Sequence, residues 1–234
     1  MTISEQNKCY SVARFKRIKF LVHGFGTKNL KKNDLKRKPE TKNFNYIFLR
    51  QIHSDIIHLI DKVPEKKLTG DAIITSDPFL LLIIKTADCL PILLVDRNKK
   101  VIAAVHCGWK GTSQWIINKV IERMKKELGC HPSSILAALG PCICPECYEV
   151  GEEVFYLYKK EHHSLRVFKK IPDKDKKYLL DLRLSNILQM KRAGVRENHI
   201  FGENRCTSDD EHLVSFRNNK REKSRMLNYI GMSF

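Results

Sequence analysis

Two apolar runs rich in branched residues, Ile92 to Asp96 and Val101 to Val105, are separated only by Arg97-Asn98-Lys99-Lys100. Such a pattern folds as a β-hairpin with a polar loop. With Asp96 opposite Val101, the pairing runs back to set Pro91 opposite His106. The flanking segments, Thr86-Ala87-Asp88-Cys89-Leu90-Pro91 and His106-Cys107-Gly108-Trp109-Lys110-Gly111, then meet at the open end of the hairpin. A thiol at Cys89 and an imidazole at His106 emerge there together. A soft ligand or nucleophile beside a base or second ligand is the beginning of a site.

A chain of 234 residues can bury a core without disulfides, and one domain is expected over 1–234. The formal charge of +17 favours anionic partners. The basic residues are scattered, however. In the densely basic stretch Lys8 to Arg50, the aromatics Phe15, Phe20, Phe44, Tyr46 and Phe48 fall in strand-like apolar runs. They read as core and not as a stacking platform for single strands, so no nucleic-acid partner is expected. Residues 1–22 carry Arg14, Lys16, Arg17 and Lys19 where a signal peptide needs an apolar centre. The longest apolar stretch, Pro78 to Val95, is broken by Lys85 and Asp88 and reads as two strands, not a membrane span. A reducing cytoplasmic setting follows, in which the eight cysteines serve as core residues, ligands or nucleophiles. Oligomeric state is left open.

Strands are expected at Phe44 to Leu49, Ile56 to Ile60, Asp71 to Thr75, Phe79 to Lys85, Ile135 to Leu139 and Met226 to Met232. Helices are expected at Thr112 to Leu128, capped by Thr112 or Ser113 and stopped by Gly129, at Glu149 to Lys160, and at Leu182 to Ala193 before Gly194. Lys28 to Asn43 and Lys169 to Lys177 read as polar loops. Strands and helices alternate without strict βαβ order, so the class is α+β with mixed sheets.

His53, in Gln51-Ile52-His53, gains interest because a catalytic zinc site wants three protein ligands and an open fourth position. With Cys89 and His106 it completes such a set. The Gly108 to Gly111 turn, with Lys110 and a following helix N-terminus, suits an oxyanion, although an ordinary strand-to-helix turn reads equally well. Arg217, in Ser215-Phe216-Arg217, and Arg225 can clamp phosphate or carboxylate, whereas Lys220, Arg221 and Lys223 read as solvated surface. Cys142-Ile143-Cys144-Pro145-Glu146-Cys147 has the look of a metal knuckle, but no second cluster stands near it in the chain.

Taken together, these segments resemble the YfiH family, also known as laccase-domain or peptidoglycan editing factor proteins. The resemblance runs through Leu21-Val22-His23-Gly24-Phe25, Gln51 to His53, Gly70 to Thr75, Thr86 to Pro91, His106 to Gly111, Leu139 to Ile143, Tyr148 to Gly151, Asp181-Leu182, Cys206-Thr207, and Ser215 to Arg217 with Arg225. It implies a four-layer α/β/β/α domain and a zinc ion on His53, Cys89 and His106. It also implies phosphorolysis of adenosine, inosine and methylthioadenosine, adenosine deamination, and for some members editing of peptidoglycan precursors. Cys107, Lys110, Cys144 and Asn218 depart from the usual family residues.

The expected substrates are therefore purine nucleosides and phosphate. For deamination, water activated at the metal attacks C6 of the purine. For phosphorolysis, phosphate held by Gly108, Lys110, Gly111 and Arg217 or Arg225 attacks C1′ of the ribose. Asp88 orients a ligand or moves a proton. Three rival readings stand beside this one. Cys89 and His106 could form a cysteine hydrolase or amidase. A copper phenol oxidase is disfavoured, since no His-x-His pair occurs in the chain. A nucleic-acid-binding protein would use the net charge alone.

Overall fold

The hairpin forms with Asp96 opposite Val101 and Pro91 opposite His106. Both of its faces are covered, which is why its strands read as unbroken apolar runs and do not alternate. The computed structural model describes residues 2–4 and 8–233. In chain order the strands are β1 Thr2–Ser4, β2 Cys9–Ser11, β3 Leu21–Gly26, β4 Asn45–Phe48, β5 Ile57–Leu59, β6 Ala72–Thr75, β7 Leu80–Thr86, β8 Leu90–Asp96, β9 Val101–Cys107, β10 Ile135–Leu139, β11 Glu149–Gly151, β12 Phe168–Lys170, β13 Lys177–Leu180, β14 Ile200–Phe201 and β15 Met226–Met232. The helices are α1 Ala13–Lys16, α2 Lys32–Arg37, α3 Trp109–Ser113, α4 Ile116–Leu128, α5 Glu152–Lys160 and α6 Leu182–Arg192.

One six-stranded sheet runs β1-β2-β3-β15-β7-β4 and a second runs β14-β10-β8-β9-β6-β5. Both are mixed, because β4–β7, β5–β6 and β10–β14 pair in parallel and the remaining pairs are antiparallel. Leu93, Val95, Ile102 and Ala104 from the hairpin pack with Phe25, Leu82, Ile84 and Ile230 between the two sheets. The opposite hairpin residues, Ile92, Leu94, Ala103 and Val105, pack under Ile117, Val120, Ile121 and Met124 of α4. The outer face of the first sheet is covered by Leu30, Phe44 and Leu35 of α2. The layers are thus helix, sheet, sheet, helix, as expected. Among the described residues no helix is long and apolar enough to cross a membrane.

Several local expectations are corrected. The helix expected at Thr112 to Leu128 is two helices, broken where Trp115 adopts a left-handed φ of 64°. Its ring stacks on His163 at 4.0 Å and its indole N–H donates to the Glu161 carbonyl at 3.1 Å, contacts that a continuous helix would forfeit. Neither Thr112 nor Ser113 caps a helix: Thr112 accepts from Asn186, and Ser113 donates to the Lys110 carbonyl. Gly129 does end α4, in the left-handed conformation. The helix expected from Glu149 starts only at Glu152, because Glu149–Gly151 pairs with β13. The supposed loop Lys169 to Lys177 holds the ends of the β12–β13 hairpin, with Phe168 and Tyr178 packed around Phe155 at 5.3 and 4.5 Å. Within Lys28 to Asn43, α2 forms because Leu35 is fully buried. Phe15 lies in α1 and Phe20 in a turn, although Phe15 is core as expected.

Candidate metal centre

β7 belongs to the first sheet and β8 to the second, so the turn holding Asp88 and Cys89 is where the chain crosses between sheets. The turn is tight: Asp88 has φ 79°, a left-handed value that Asp tolerates better than most residues. Its carboxylate accepts from Thr207 Oγ1 at 2.6 Å and from the Arg217 backbone N–H at 2.7 Å. Its carbonyl accepts from the Ile143 N–H at 2.9 Å. These bonds hold the unusual backbone that presents Cys89. His106 arrives from β9, where pairing with β8 places it at the same end of the sheet.

His53 comes from the loop between β4 and β5, itself at a φ of 59°. The residue that holds it there is Asp71, which the sequence offers only as the start of a strand and as part of the Gly70 to Thr75 motif. Asp71 is fully buried at the entrance to β6. It accepts from the backbone N–H groups of Ile52, His53 and Ser54 at 3.3, 3.1 and 2.7 Å, and from Ser54 Oγ at 2.7 Å. It also meets His106 Nδ1 at 2.8 Å. One carboxylate therefore fixes two histidines. The sequence carries no local signal for this, since Lys100, which likewise directly precedes an apolar run, is exposed. The carboxylate bonded to a histidine of the centre is thus Asp71, while Asp88 braces the turn before Cys89.

A nitrogen of His53, a nitrogen of His106 and Sγ of Cys89 lie within 4.8 Å of one another. The histidine rings meet edge to face at 4.9 Å. Burial opposes ionisation of the Cys89 thiol, but the His106 charge and hydrogen bonds from His106 and His53 outweigh it and draw the thiol down to about 6. Burial likewise lowers His106, yet the Cys89 charge and the Asp71 hydrogen bond raise it to about 9. Burial pushes Asp71 up, and hydrogen bonds from His106 and Ser54 bring it down to about 2. Two imidazoles and a readily ionised sulfur, with His106 oriented by a carboxylate behind it, form a donor set that suits zinc.

Gly108 closes over this group. A Cβ there would lie 3.0 Å from His53 Cδ2 and 3.1 Å from Cys89 Sγ, so any side chain would press on the donors. At Gly111 a Cβ would meet the Ser54 carbonyl at 2.9 Å, so close packing of α3 on the His53 loop needs glycine. Helix α3 spans only Trp109–Ser113, too short for a strong terminal field. Lys110 Nζ lies over the Trp109 ring at 5.5 Å. The Arg217 guanidinium lies over Tyr148 at 5.3 Å and donates to the Glu149 carbonyl at 2.9 Å. Arg225 serves the Glu222 and Ser224 carbonyls and lies over Phe216 at 5.8 Å. The fold thus gathers His53, Cys89, His106 and Gly108, ties the Arg217 backbone to Asp88, and engages Arg225 farther along its own loop.

The architecture, two six-stranded mixed sheets with a small three-stranded sheet beside them, is shared with known proteins. Residues 27–233 match the family described as multi-copper polyphenol oxidoreductase laccase, and the chain belongs to that family. It is similar to a purine nucleoside phosphorylase of Clostridium acetobutylicum, 40% identical over 185 residues covering 78% of this chain and 75% of the relative. A purine nucleoside phosphorylase of Deinococcus radiodurans is 37% identical over 70% of this chain, which spans 61% of that protein's length. Adenosine deaminase RL5, from an unknown prokaryotic organism, is 36% identical over 71% of this chain and 66% of its own. The solved structure of YlmD from Geobacillus stearothermophilus superposes with a TM-score of 0.84 at 23% identity, covering 97% of this chain and 99% of that one. Bacillus licheniformis YfiH gives 0.81 at 24% identity over 91% and 93%. At those identities the two structures establish the fold.

Proposed function

We propose that this chain is a zinc-dependent purine nucleoside enzyme. It phosphorolyses adenosine, inosine or methylthioadenosine to the free base and (methylthio)ribose 1-phosphate, and it deaminates adenosine. The observation that carries this reading is the convergence of His53, Cys89 and His106 within 4.8 Å. Relatives named purine nucleoside phosphorylase and adenosine deaminase support it.

His53, Cys89 and His106 would hold a zinc ion, which would supply Lewis-acid chemistry there. The chain's own groups supply the rest. Asp71 engages Nδ1 of His106 and leaves Nε2 for the centre. Gly108 keeps bulk away from the donors. Lys110, two residues beyond Gly108, and Arg217, tethered to Asp88, offer positive charge for phosphate, with Arg225 farther out. In phosphorolysis a phosphate oxygen bonds to C1′ as the C1′–N9 bond breaks, and the base leaves with a proton. A reducing cytoplasm suits the eight free cysteines.

Zinc-loaded protein incubated with adenosine is expected to yield adenine and ribose 1-phosphate when phosphate is present, and inosine from deamination. Cys89→Ala is expected to lose both zinc and turnover. An absence of purine products from zinc-loaded wild type would sink the reading. One observation favours a second reading: Cys89 Sγ lies within 4.8 Å of a His106 nitrogen, and the His106 charge draws the thiol down, a setting that suits a cysteine hydrolase nucleophile. Activity retained without metal and abolished by iodoacetamide would select it.

A further inference from the structure

The fold supplies what the Cys142 to Cys147 knuckle lacks in the chain. A parallel bridge pairs Cys142 with Cys206. The Cys142 N–H donates to the Arg205 carbonyl at 3.2 Å, and the Thr207 N–H returns to the Cys142 carbonyl at 3.1 Å. Residues 205–209 are thereby docked beside residues 144–147. Each segment is a tight turn of the same spacing. The Cys147 N–H donates to the Cys144 carbonyl at 3.2 Å, and the Asp209 N–H to the Cys206 carbonyl at 3.4 Å. Cys-x-x-Cys thus faces Cys-x-x-Asp. The three sulfurs and an Asp209 oxygen all lie within 4.8 Å of one another. The Cys144 and Cys147 sulfurs lie 3.8 and 3.4 Å from carboxylate oxygens of Asp209. The Cys144 N–H points at Cys206 Sγ at 3.2 Å, a bond that supports negative charge on that sulfur.

We propose that Cys144, Cys147, Cys206 and Asp209 form a second, structural site for a zinc-like divalent cation, distinct from the centre at His53, Cys89 and His106. Four protein donors make a closed set, the mark of a structural site, and three thiolates favour a soft ion. A zinc ion with Zn–S bonds of about 2.3 Å needs tetrahedral donors about 3.8 Å apart, so the observed group has only to contract slightly. The cysteines are half-buried and Asp209 is exposed, which gives the ion a way in. The bound ion would staple two segments whose sulfurs and amides are 62 residues apart in the chain. The same two segments hold Asp88, through the Ile143 N–H at 2.9 Å and Thr207 Oγ1 at 2.6 Å. The staple therefore braces the turn that presents Cys89.

Cobalt(II) titration of reduced, metal-free, full-length Cys89→Ser protein tests the site with the other centre disabled. One equivalent is expected to bind with tetrahedral d–d bands and a strong thiolate-to-cobalt charge-transfer band, both bleached by one equivalent of zinc. Cys89→Ser/Cys206→Ser is expected to lose that equivalent. Circular dichroism checks its folding, and should it unfold, Asp209→Asn in the Cys89→Ser background decides by a shifted d–d envelope. A Cys89→Ser protein with no thiolate-rich cobalt spectrum overturns the proposal, as does one whose spectrum is unchanged by Cys206→Ser or, where that variant does not fold, by Asp209→Asn. The outcome is independent of whether purine nucleosides are substrates.

Discussion

Asp71 serves five donors with two oxygens, and this makes it the most consequential single side chain near the site. In Asp71→Asn one oxygen becomes an N–H₂ group, so two or three buried donors lose their acceptor. At about 1–3 kcal/mol for each, the metal-free protein should lose several kcal/mol in urea unfolding. A loss below about 1 kcal/mol would show that the carboxylate does not organise the His53 loop. The proximity of Cys89 and His106 was legible at this level, because hairpin register is a local consequence of loop length. His53 entered only through the need for a third ligand and the family resemblance, and the role of Asp71 was not legible. Each reaches the site through contacts between segments whose separation in the chain carries no spacing rule.

Strand β3 carries a buried histidine that reports on its packing. His23 Nε2 accepts the Val12 N–H at 2.9 Å, so the folded state requires the neutral ring. Burial, with the nearby Lys16 charge, depresses it from 6.5 to about 4. The unfolded chain thus binds a proton that the folded one refuses between those values. Stability from this group is complete above pH 6.5 and is lost as pH falls toward 4. The loss should reach about 3 kcal/mol. Gln at position 23 can still accept the Val12 bond but does not titrate, so urea midpoints of wild type and His23→Gln should diverge on acidification. Parallel midpoints would remove His23 from the account. Elements of this kind are legible where apolar runs are unbroken, as in β7 to β10, or where an apolar stripe recurs at helical spacing, as in the body of α4 up to its stop at Gly129. They were misread where charge masked a few decisive apolar residues. Leu35 within a Lys-rich segment builds α2, and Phe168 and Tyr178 around Phe155 build the β12–β13 hairpin.

The first sheet is held together by β15. β15 lies between β3 and β7, with every residue from Met226 to Met232 buried, so the first sheet is incomplete until the final residues arrive. Deleting residues 226–234 should abolish cooperative thermal unfolding, not merely trim an edge. A truncated chain that still melts sharply by circular dichroism would contradict this. The sequence marks Met226 to Met232 as a strand, but nothing in it places that strand inside a sheet. The crossover from β7 to β8, which puts Cys89 where the chain passes from one sheet to the other, was equally invisible. Hydrophobic pattern, turn chemistry and the Cys89–His106 register follow from interactions a few residues apart, and the chain carries them on its face. Which strand pairs with which, which carboxylate stands behind a histidine, and that Cys206 and Asp209 meet Cys144 and Cys147 depend on the packing of two buried sheets. That packing is a collective property of distant segments competing for the same apolar surface, and only the folded molecule resolves it.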